Sequence, residues 1–563
     1  MGSVSILWVL LLVLASLFQA DASPLWPNLT PPPLVAAISA GSKGGNETFE
    51  QLIDHKNPEL GTFSQRYWWD STYWAGPGSP VLIFTPGETQ ADFYTGYLTN
   101  RTIMGLYAQE MGAAMVLFEH RYWGESSPFQ YLDTKNLSYL NLENAVADMV
   151  HFAKNVKLPF DSGYSSNAPN APWINVGGSY SGALAAWIDR IAPGTYWAYH
   201  ASSGPVQAVY DYWSYFVPIQ KGMPANCSAD IAQIVEHVDK VLDEKNATNT
   251  KALKESFGLG DLAYDDDFAG ALSSPLGMWQ SISFTSNYSR FFQMCDTIEG
   301  VRAVDFQNNG NNVAVNGTGT WNNTISAQGV GLEKALPNFA AWYKHEFLPG
   351  YCADYQYLDW RDPKSAACFD TYNKTSPFVT DWSVNNTIMR QWYWMTCNEP
   401  FFYWQTGAPD GQPSIASRYI TPEYFQRQCE LLFPTEDGVT YGSGAGKTAE
   451  SLNAWTGGWD FVNTTRVLWV NGEFDPWRSA SVSSELRPGG PLQSTPEVPV
   501  YLLSKGIHCN DLNVRNAQAN SDLKTAHKSM VKTMVKWVDD FYQLNGGRGY
   551  PGSANVKKKQ GPF

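Results

Sequence analysis

A buried strand, a tight glycine turn and a helix follow one another in the middle of the chain, and this feature restricts the fold most. Residues 173–176 form a short, mainly apolar run, Gly177-Gly178-Ser179-Tyr180-Ser181-Gly182 comes next, and residues 183–187 favour a helix. Such a turn holds the residue at its apex in strained backbone angles, and small neighbours let it pack against a sheet. The motif therefore predicts Ser179 as a nucleophile presented at a strand end.

The turn departs from the strict G-x-S-x-G pattern, because Ser181 occupies the place of the second glycine. A Gly/Ser turn without chemistry is the alternative interpretation. A serine hydroxyl is a weak nucleophile unless a base takes its proton and a carboxylate orients that base. The hypothesis therefore requires an acid and then a histidine later in the chain, which is their order in α/β-hydrolases.

Short apolar runs bounded by Gly, Pro or Asn alternate with helical patterns along much of the sequence, which is typical of a mostly parallel α/β sheet. The predicted strands are 81–84, 113–118, 173–176, 196–201, 467–470 and 498–503. In open α/β sheets, sites gather at the carboxyl ends of the strands. The remaining reactive groups are therefore expected in the loops that follow these strands.

One histidine after the glycine turn has the expected position. The histidines in this part of the chain are His200, His237, His345, His508 and His527. His508 alone follows an apolar run and a glycine, whereas three of the others lie in helical patterns and His200 precedes the late strands. His508 is the predicted base, with a buried structural imidazole as the alternative. We interpret the neighbouring Cys509 as a packed bystander, a second reactive group being the other possibility.

The predicted acid is Asp475, which lies past the end of strand 467–470 on a turn fixed by Pro476. From that position a carboxylate can reach an imidazole on the next strand's loop. Glu473 is the rival and Asp511 a weaker one. Asp475 could instead only cap a turn, which is a common use of aspartate.

An oxyanion needs backbone N–H donors. We expect the first donor from Tyr180, directly after the nucleophile. The second is expected from the loop after strand 81–84, at Gly87 or Glu88, where glycine permits a close approach. This loop could equally be only a turn.

Between the fourth and fifth predicted strands the sequence changes to helical patterns, at 231–242, 251–257 and 338–347, with an Asn/Gly-rich loop at 307–323. A last helix is predicted at 524–542. The predicted fold is an α/β-hydrolase core sheet with a large inserted helical lid domain. Its segments are a core of 23–205 and 456–545, a lid of 206–455 and a flexible tail of 546–563.

The N-terminus predicts export. An apolar run of thirteen residues, Ile6 to Phe18, precedes Ala20 and Ala22, which indicates a signal peptide over 1–22 and no membrane anchor. Twelve N-x-S/T sequons predict N-linked glycans, at Asn28, Asn46, Asn100, Asn136, Asn226, Asn246, Asn287, Asn316, Asn322, Asn373, Asn385 and Asn463. The expected location is extracellular, or a lysosome- or vacuole-like acidic compartment.

Seven cysteines suit an oxidising compartment. Their spacing suggests three disulfides, which would leave Cys509 free. The suggested pairs are Cys227 with Cys295, Cys352 with Cys368, and Cys397 with Cys429.

Composition and motif spacing exclude other classes. With 38 Lys+Arg against 53 Asp+Glu, the net charge of −15 makes nucleic acid a poor partner. Residues 443–448 resemble the end of a phosphate loop, but Tyr441 stands where its first glycine should be and no apolar strand precedes it. No H-E-x-x-H, C-x-x-C or paired ligand spacing occurs, so neither a metal nor another cofactor is expected.

Several blocks of sequence together resemble one peptidase family. They are Gln51-Leu52-Ile53-Asp54-His55, residues 62–68, Glu119-His120-Arg121-Tyr122-Trp123-Gly124-Glu125-Ser126, residues 177–182, Asn471 to Trp477, and Gly506-Ile507-His508. The chain resembles the lysosomal Pro-Xaa carboxypeptidase and dipeptidyl peptidase II family of serine peptidases, and most closely the secreted acid prolyl endopeptidases of filamentous fungi. The resemblance implies a Ser179, Asp475 and His508 triad and a helical lid between the serine and the acid.

The same resemblance implies cleavage after proline in peptide or protein substrates. Trp477, and more weakly Phe402, would wall an apolar pocket for the proline ring, with Glu88 also at the substrate. Lid or core packing is the alternative role of both aromatics. Exopeptidases of the family carry a sequence close to T-G-N-E-G after the first strand, whereas Thr85-Pro86-Gly87-Glu88-Thr89 stands here. This difference favours endopeptidase action.

The sequence therefore predicts a secreted, glycosylated serine peptidase, a monomer or dimer, that forms an acyl-enzyme. Low charge density and an acidic composition suggest work at acidic pH. The alternatives are a serine carboxypeptidase, an aminodipeptidase or an esterase of the same fold, or a hydrolase-like glycoprotein without catalysis.

Overall fold

The computed structural model describes residues 31–36, 43–304 and 325–546. Ten strands are present in these ranges, and we number them in chain order. They are β1 (Gly44–Leu52), β2 (Thr62–Asp70), β3 (Val81–Phe84), β4 (Ala114–Phe118), β5 (Trp173–Gly178), β6 (Ala198–Ser202), β7 (Val209–Asp211), β8 (Phe402–Trp404), β9 (Val467–Gly472) and β10 (Val500–Leu503).

Sixteen α-helices accompany the strands in the described ranges. They are α1 (Ile103–Met111), α2 (Thr134–Leu137), α3 (Leu142–Asn155), α4 (Tyr180–Ile191), α5 (Phe216–Gly222), α6 (Ala225–Asp243), α7 (Ala247–Ser256), α8 (Asp265–Ser273), α9 (Arg290–Ile298), α10 (Leu332–Trp342), α11 (Pro377–Thr380), α12 (Arg390–Asn398), α13 (Pro422–Leu432), α14 (Ala449–Thr456), α15 (Val514–Ala519) and α16 (Ser521–Leu544). Shorter 3₁₀ segments include Ala91–Leu98, Ser274–Ser281 and Pro476–Ala480, and a π-helical turn, Tyr343–Phe347, extends α10.

Eight strands form one sheet in the order β1-β2-β4-β3-β5-β6-β9-β10. The pairs from β4 to β10 are parallel, while β1 pairs antiparallel with β2 and β2 with β4. All six predicted strands are present, although β6 and β10 each begin two residues later than predicted. The β1–β2 hairpin was not predicted, because most side chains of β1 are partly or fully exposed and it lacks an apolar run.

The sheet separates two apolar layers, and strand periodicity assigns side chains to them. Ile83, Val116 and Trp173 face one layer, whereas Leu82 and Ile174 face the other. The second layer is closed by α1 and α16, which confirms the predicted last helix. The glycine turn that carries Ser179 thus follows a strand that is buried on both faces.

The described part of the chain between β6 and β9 contains ten of the α-helices, α5 to α14, and only the short strands β7 and β8, and it packs on the first apolar layer. Ile231 and Ile234 of α6 belong to the same continuous core as Trp187 of α4. All three disulfides lie in this inserted part, and their pairing is the one that spacing suggests. The predicted signal peptide, the loop 307–323 and the tail after residue 546 lie outside the described residues.

Candidate active site

The turn between β5 and α4 holds Ser179 in a strained conformation, with φ 62° and ψ −130°. Its flanking glycines have no room for a side chain. A Cβ on Gly177 would lie 2.0 Å from the carbonyl oxygen of Ser181, and one on Gly182 would lie 2.5 Å from that of Ser202. The elbow therefore requires glycine at both positions, as the motif predicts.

Ser181, the departure from the strict motif, closes the turn from within. Its hydroxyl donates to the carbonyl oxygen of Gly178 at 2.7 Å, and the N–H of Gly178 lies 3.0 Å from the same hydroxyl oxygen. A glycine at position 181 could not make these bonds. The substitution is therefore compatible with the elbow and adds hydrogen bonds to it.

Three side chains that are far apart in sequence meet at the carboxyl ends of β5, β9 and β10. The Nε2 atom of His508 lies 2.8 Å from the hydroxyl oxygen of Ser179, and its Nδ1 atom lies 3.0 Å from Oδ1 of Asp475. The same Oδ1 accepts the main-chain N–H of Trp477 at 3.0 Å. All three side chains are buried. This is the geometry in which histidine can take the serine proton while a carboxylate fixes its tautomer.

The two rival acids have other partners. Glu473 accepts the main-chain N–H of Lys505 at 2.8 Å. Asp511 is buried and pairs with Nε2 of His200 at 2.9 Å and with the hydroxyl of Ser202 at 2.6 Å. Among the sequence candidates for the acid, the structure thus brings Asp475 to the imidazole.

Burial favours the neutral imidazole, but the Asp475 carboxylate 3.0 Å away stabilises the charged form, and the pKa of His508 is held well above its ordinary value. Burial also raises the pKa of the Cys509 thiol. Cys509 is the free cysteine of the described residues, and its N–H donates to the hydroxyl of Ser203 at 2.9 Å. That bond is made by the main chain, and a buried thiol whose pKa is raised fits packing better than a second nucleophile.

The two expected oxyanion donors lie next to each other. Tyr180 is the first residue of α4, so its N–H is at a helix N-terminus, where partial positive charge accumulates. Gly87 has φ 86°, and a Cβ there would lie 2.9 Å from the ring of Tyr180. The glycine is therefore what lets this loop approach the elbow. Its N–H makes a long contact of 3.4 Å with the hydroxyl of Thr85.

Glu88 is fully buried, and neither of its carboxylate oxygens has a hydrogen-bond partner in the structure. Burial raises the pKa of Glu88 well above its ordinary value, while the charge of His508 opposes this shift. Glu88 is predicted from the sequence to lie in the oxyanion loop and at the substrate. The structure adds that burial favours the protonated carboxyl and that the group lies close enough to His508 for the two charges to interact.

The two aromatic candidates for the substrate pocket lie in different surroundings. Trp477 is buried, and its ring packs against Tyr212, Tyr215 and Tyr403 with centroids 5.2 to 5.6 Å apart. We call Trp477 and these three tyrosines the aromatic cluster. The ring of Phe402 points elsewhere and contacts Tyr210 and Trp404. The three tyrosines were missed, because 30 tyrosines in the chain give no local signal for a few of them.

The E-H-R-Y-x-G-E-S block forms buried polar contacts beside the site. The carboxylate of Glu119 accepts two N–H groups of Arg66, at 2.7 and 2.8 Å, and the hydroxyl of Ser126 at 2.6 Å. His120 Nε2 lies 3.1 Å from the hydroxyl of Tyr180, and burial lowers the pKa of His120 to about 4. The block therefore holds the elbow in place from one side.

Asp511 supports the elbow from the other side. Its partner Ser202 lies on β6 and accepts, through its carbonyl oxygen, the N–H of Ser179 at 2.8 Å. His200 in turn lies 2.8 Å from the hydroxyl of Tyr107. The loop that carries His508 is therefore attached to the strand that holds the backbone of Ser179.

Two negative observations concern only the described residues. No three His, Cys, Asp or Glu side chains come together there in a way that could hold a metal ion. No helix in those ranges combines the length and the hydropathy that crossing a bilayer requires.

A mostly parallel sheet, a strained serine turn at the end of a central strand and a bonded serine, histidine and aspartate at three strand ends define the α/β-hydrolase fold and the site of a serine hydrolase. The family model of serine carboxypeptidase S28 matches residues 51–335 and 354–530. The chain belongs to this family of serine peptidases.

Relatives of the chain are named as serine peptidases. "Serine protease vicPb" of Bipolaris victoriae is 43% identical over 523 residues, covering 93% of this chain and 94% of the relative. "Probable extracellular serine carboxypeptidase" of Arthroderma benhamiae is 32% identical, covering 80% of this chain and 60% of the relative. "Lysosomal Pro-X carboxypeptidase" of Bos taurus is 24% identical, covering 96% of this chain and 99% of the relative. Fold, site and family thus agree on a serine peptidase.

Proposed function

We propose that this serine peptidase cleaves peptides and proteins on the carboxyl side of proline, as an endopeptidase that works outside the cell at acidic pH. The observation that carries the catalytic part is the hydrogen-bonded chain from Ser179 through His508 to Asp475. Separate features of the site support the specificity and the pH range, and Thr85-Pro86-Gly87-Glu88-Thr89 after β3 supports the endopeptidase mode.

Hydrolysis follows from this geometry in two steps. Ser179 attacks the scissile carbonyl carbon while Nε2 of His508 takes its proton, and the N–H of Tyr180 with the Gly87 loop stabilises the oxyanion. His508 then gives the proton to the leaving amine, which leaves an acyl-enzyme. A water molecule, deprotonated by the same histidine, attacks the ester carbon; the bond to the Ser179 oxygen breaks, His508 returns the proton to that oxygen, and the acid is released. Asp475 orients His508 and stabilises its charged form throughout.

The preference for proline is supported by the aromatic cluster. Trp477 lies two residues from Asp475, and its main-chain N–H is bonded to that carboxylate. We propose this indole as one wall of the proline pocket, because a flat apolar surface suits a rigid ring without polar atoms. The name of the bovine relative, a Pro-X carboxypeptidase, points the same way.

The pH range is supported by Glu88. Its buried carboxyl has a raised pKa, so it stays neutral through acidic pH and would acquire a buried charge only at higher pH. The pKa of His508 is also raised, and because the base must be neutral to accept the serine proton, this shift moves the acidic limb of kcat/KM to higher pH and opposes activity at low pH. A bell-shaped dependence of kcat/KM on pH is the expected result.

Secretion and glycosylation are supported by the sequons. Nine of the twelve sequon asparagines lie in the described residues, and none of these nine is buried. The name of the Arthroderma relative also includes the word extracellular. N-linked glycans on these asparagines, and a peptide or protein substrate, are the partners that we propose.

The second candidate function is a carboxypeptidase, because the family description and two of the relatives' names use that word. Digestion of a proline-rich protein, followed by mass spectrometry of the cut sites, separates the two. Internal cuts after proline are expected. Release of single C-terminal residues, abolished when the substrate is amidated, would instead establish carboxypeptidase action, and cuts without regard to proline would refute the proposed specificity.

A further inference from the structure

One short segment of the helical insertion contacts both loops that carry the acid and the histidine. The indole N–H of Trp279 donates to the carbonyl oxygen of Phe474 at 2.9 Å. The side-chain amide of Asn510 donates to the carbonyl oxygen of Ile282 at 3.2 Å. Between these two anchors lies Gln280, and its side chain reaches Trp477.

Gln280 is the acceptor for the indole of Trp477. The indole N–H lies 3.0 Å from Oε1 of Gln280, and because an indole N–H can only donate, the oxygen of the amide must face it. The hydroxyl of Tyr215 lies 3.4 Å from the same oxygen. A single amide oxygen thus accepts hydrogen bonds from two members of the aromatic cluster, Trp477 and Tyr215.

These contacts fix the indole at both ends. The main-chain N–H of Trp477 is held by Asp475, and the ring N–H is held by Gln280 from the insertion. Trp477 is only 1% exposed, so no water is available to replace the lost acceptor at low cost. The orientation of the ring therefore depends on a residue outside the α/β sheet.

We propose that Gln280 is a specificity-determining positioning residue, which sets the plane of the Trp477 indole against the proline ring of the substrate. The inference rests on the proposed function, since it assigns Trp477 to the proline pocket. A proline ring gains from a flat wall only when the wall has a fixed plane, whereas an alanine methyl touches less of it. Loss of the acceptor must therefore affect proline substrates more than alanine substrates.

The test uses two chromogenic peptides that are identical except for proline or alanine before the scissile bond. Gln280→Leu removes the acceptor at similar volume, and Gln280→Glu keeps an oxygen in its place. We expect the proline-to-alanine ratio of kcat/KM to fall about 10-fold or more in Gln280→Leu and to stay within about 3-fold of wild type in Gln280→Glu. The rate at which a small fluorophosphonate labels Ser179 should change little in both variants.

A second substitution removes the donor of the hydrogen bond between Trp477 and Gln280. Trp477→Phe keeps an aromatic ring but has no N–H, so it should lower the same ratio. Adding Gln280→Leu to it should lower the ratio no further. If Gln280→Leu does not fold, Trp477→Phe on its own carries the test.

The outcomes separate the inference from the proposed function. A wild-type enzyme without preference for proline would refute the function, and the inference with it. A wild-type enzyme that prefers proline, with an unchanged ratio in Gln280→Leu or Trp477→Phe, would overturn the inference alone. Equal loss for both peptides and for fluorophosphonate labelling would show a general structural role, and would also overturn it.

Discussion

Replacing the carboxylate of Asp475 by an amide tests the electrostatic part of the site. In Asp475→Asn the side chain keeps its size and an oxygen that can accept the N–H groups of Trp477 and His508, so the change removes charge while it leaves shape. The two groups lie 3.0 Å apart. At an effective dielectric constant of about 20, opposite unit charges at this distance attract by about 5 kcal/mol. Most of this attraction acts when His508 becomes charged, so we expect kcat to fall by about 10³- to 10⁴-fold.

The pH dependence gives a second, independent readout of the same variant. Asp475 raises the pKa of His508, so its neutral replacement must lower that pKa. Because the base acts in its neutral form, the acidic limb of the kcat/KM profile should move to lower pH. Steady-state kinetics across the pH range measures both effects on one chromogenic peptide.

The matched control is Glu473→Gln on the same turn. Glu473 bonds to the main chain of Lys505, so its neutral variant should keep kcat/KM within about 3-fold of wild type. Circular dichroism and thermal unfolding establish that each variant is folded. A folded Asp475→Asn enzyme that keeps more than about a tenth of wild-type kcat, with an unmoved acidic limb, would refute the reasoning.

Three further outcomes are expected. Glu88→Gln, which is neutral at every pH, should extend activity to higher pH, and an alkaline limb that stays in place would show that Glu88 does not set it. Gly182→Ala places a methyl group 2.5 Å from a main-chain oxygen and should lower Tm and activity strongly, whereas Gly277→Ala has no atom within 4 Å and should lower neither. Arg121→Met removes the ion pair of Arg121 with the buried carboxylate of Asp148 and leaves His55 as the remaining ionisable partner, which should cost about 3 kcal/mol in chemical denaturation, and a loss below about 1 kcal/mol would contradict this.

The sequence predicts those parts of the fold that are determined by residues close together in the chain. The glycine turn, the apolar strands and the i, i+3, i+4 pattern of α6 each depend on neighbouring residues, and each has its predicted place. The β1–β2 hairpin was missed, because its strands are stabilised by mutual pairing while most of their side chains remain in contact with water. The backbone pairing of β1 with β2 leaves no hydrophobic pattern within either strand from which it could be predicted.

The same distinction applies to the site. Ser179, Asp475 and His508 stand directly after predicted strands, so topology alone brings them to one edge of the sheet. Tyr403 and Gln280 come from the insertion, outside the eight-stranded sheet, on the short strand β8 and the 3₁₀ segment Ser274–Ser281. Their contacts with Trp477 follow only from the packing of the insertion on the core. Phe402 was selected by sequence and Tyr403 was not, yet strand alternation turns Tyr403 toward Trp477.

Labelling with a fluorophosphonate probe tests the central claim most directly, because the probe reacts with a serine only when a base activates it. The account predicts that peptide mapping finds the label on Ser179, that labelling abolishes peptide hydrolysis, and that Ser179→Ala neither labels nor turns over substrate. A label on another serine, or hydrolysis retained by folded Ser179→Ala, would contradict it.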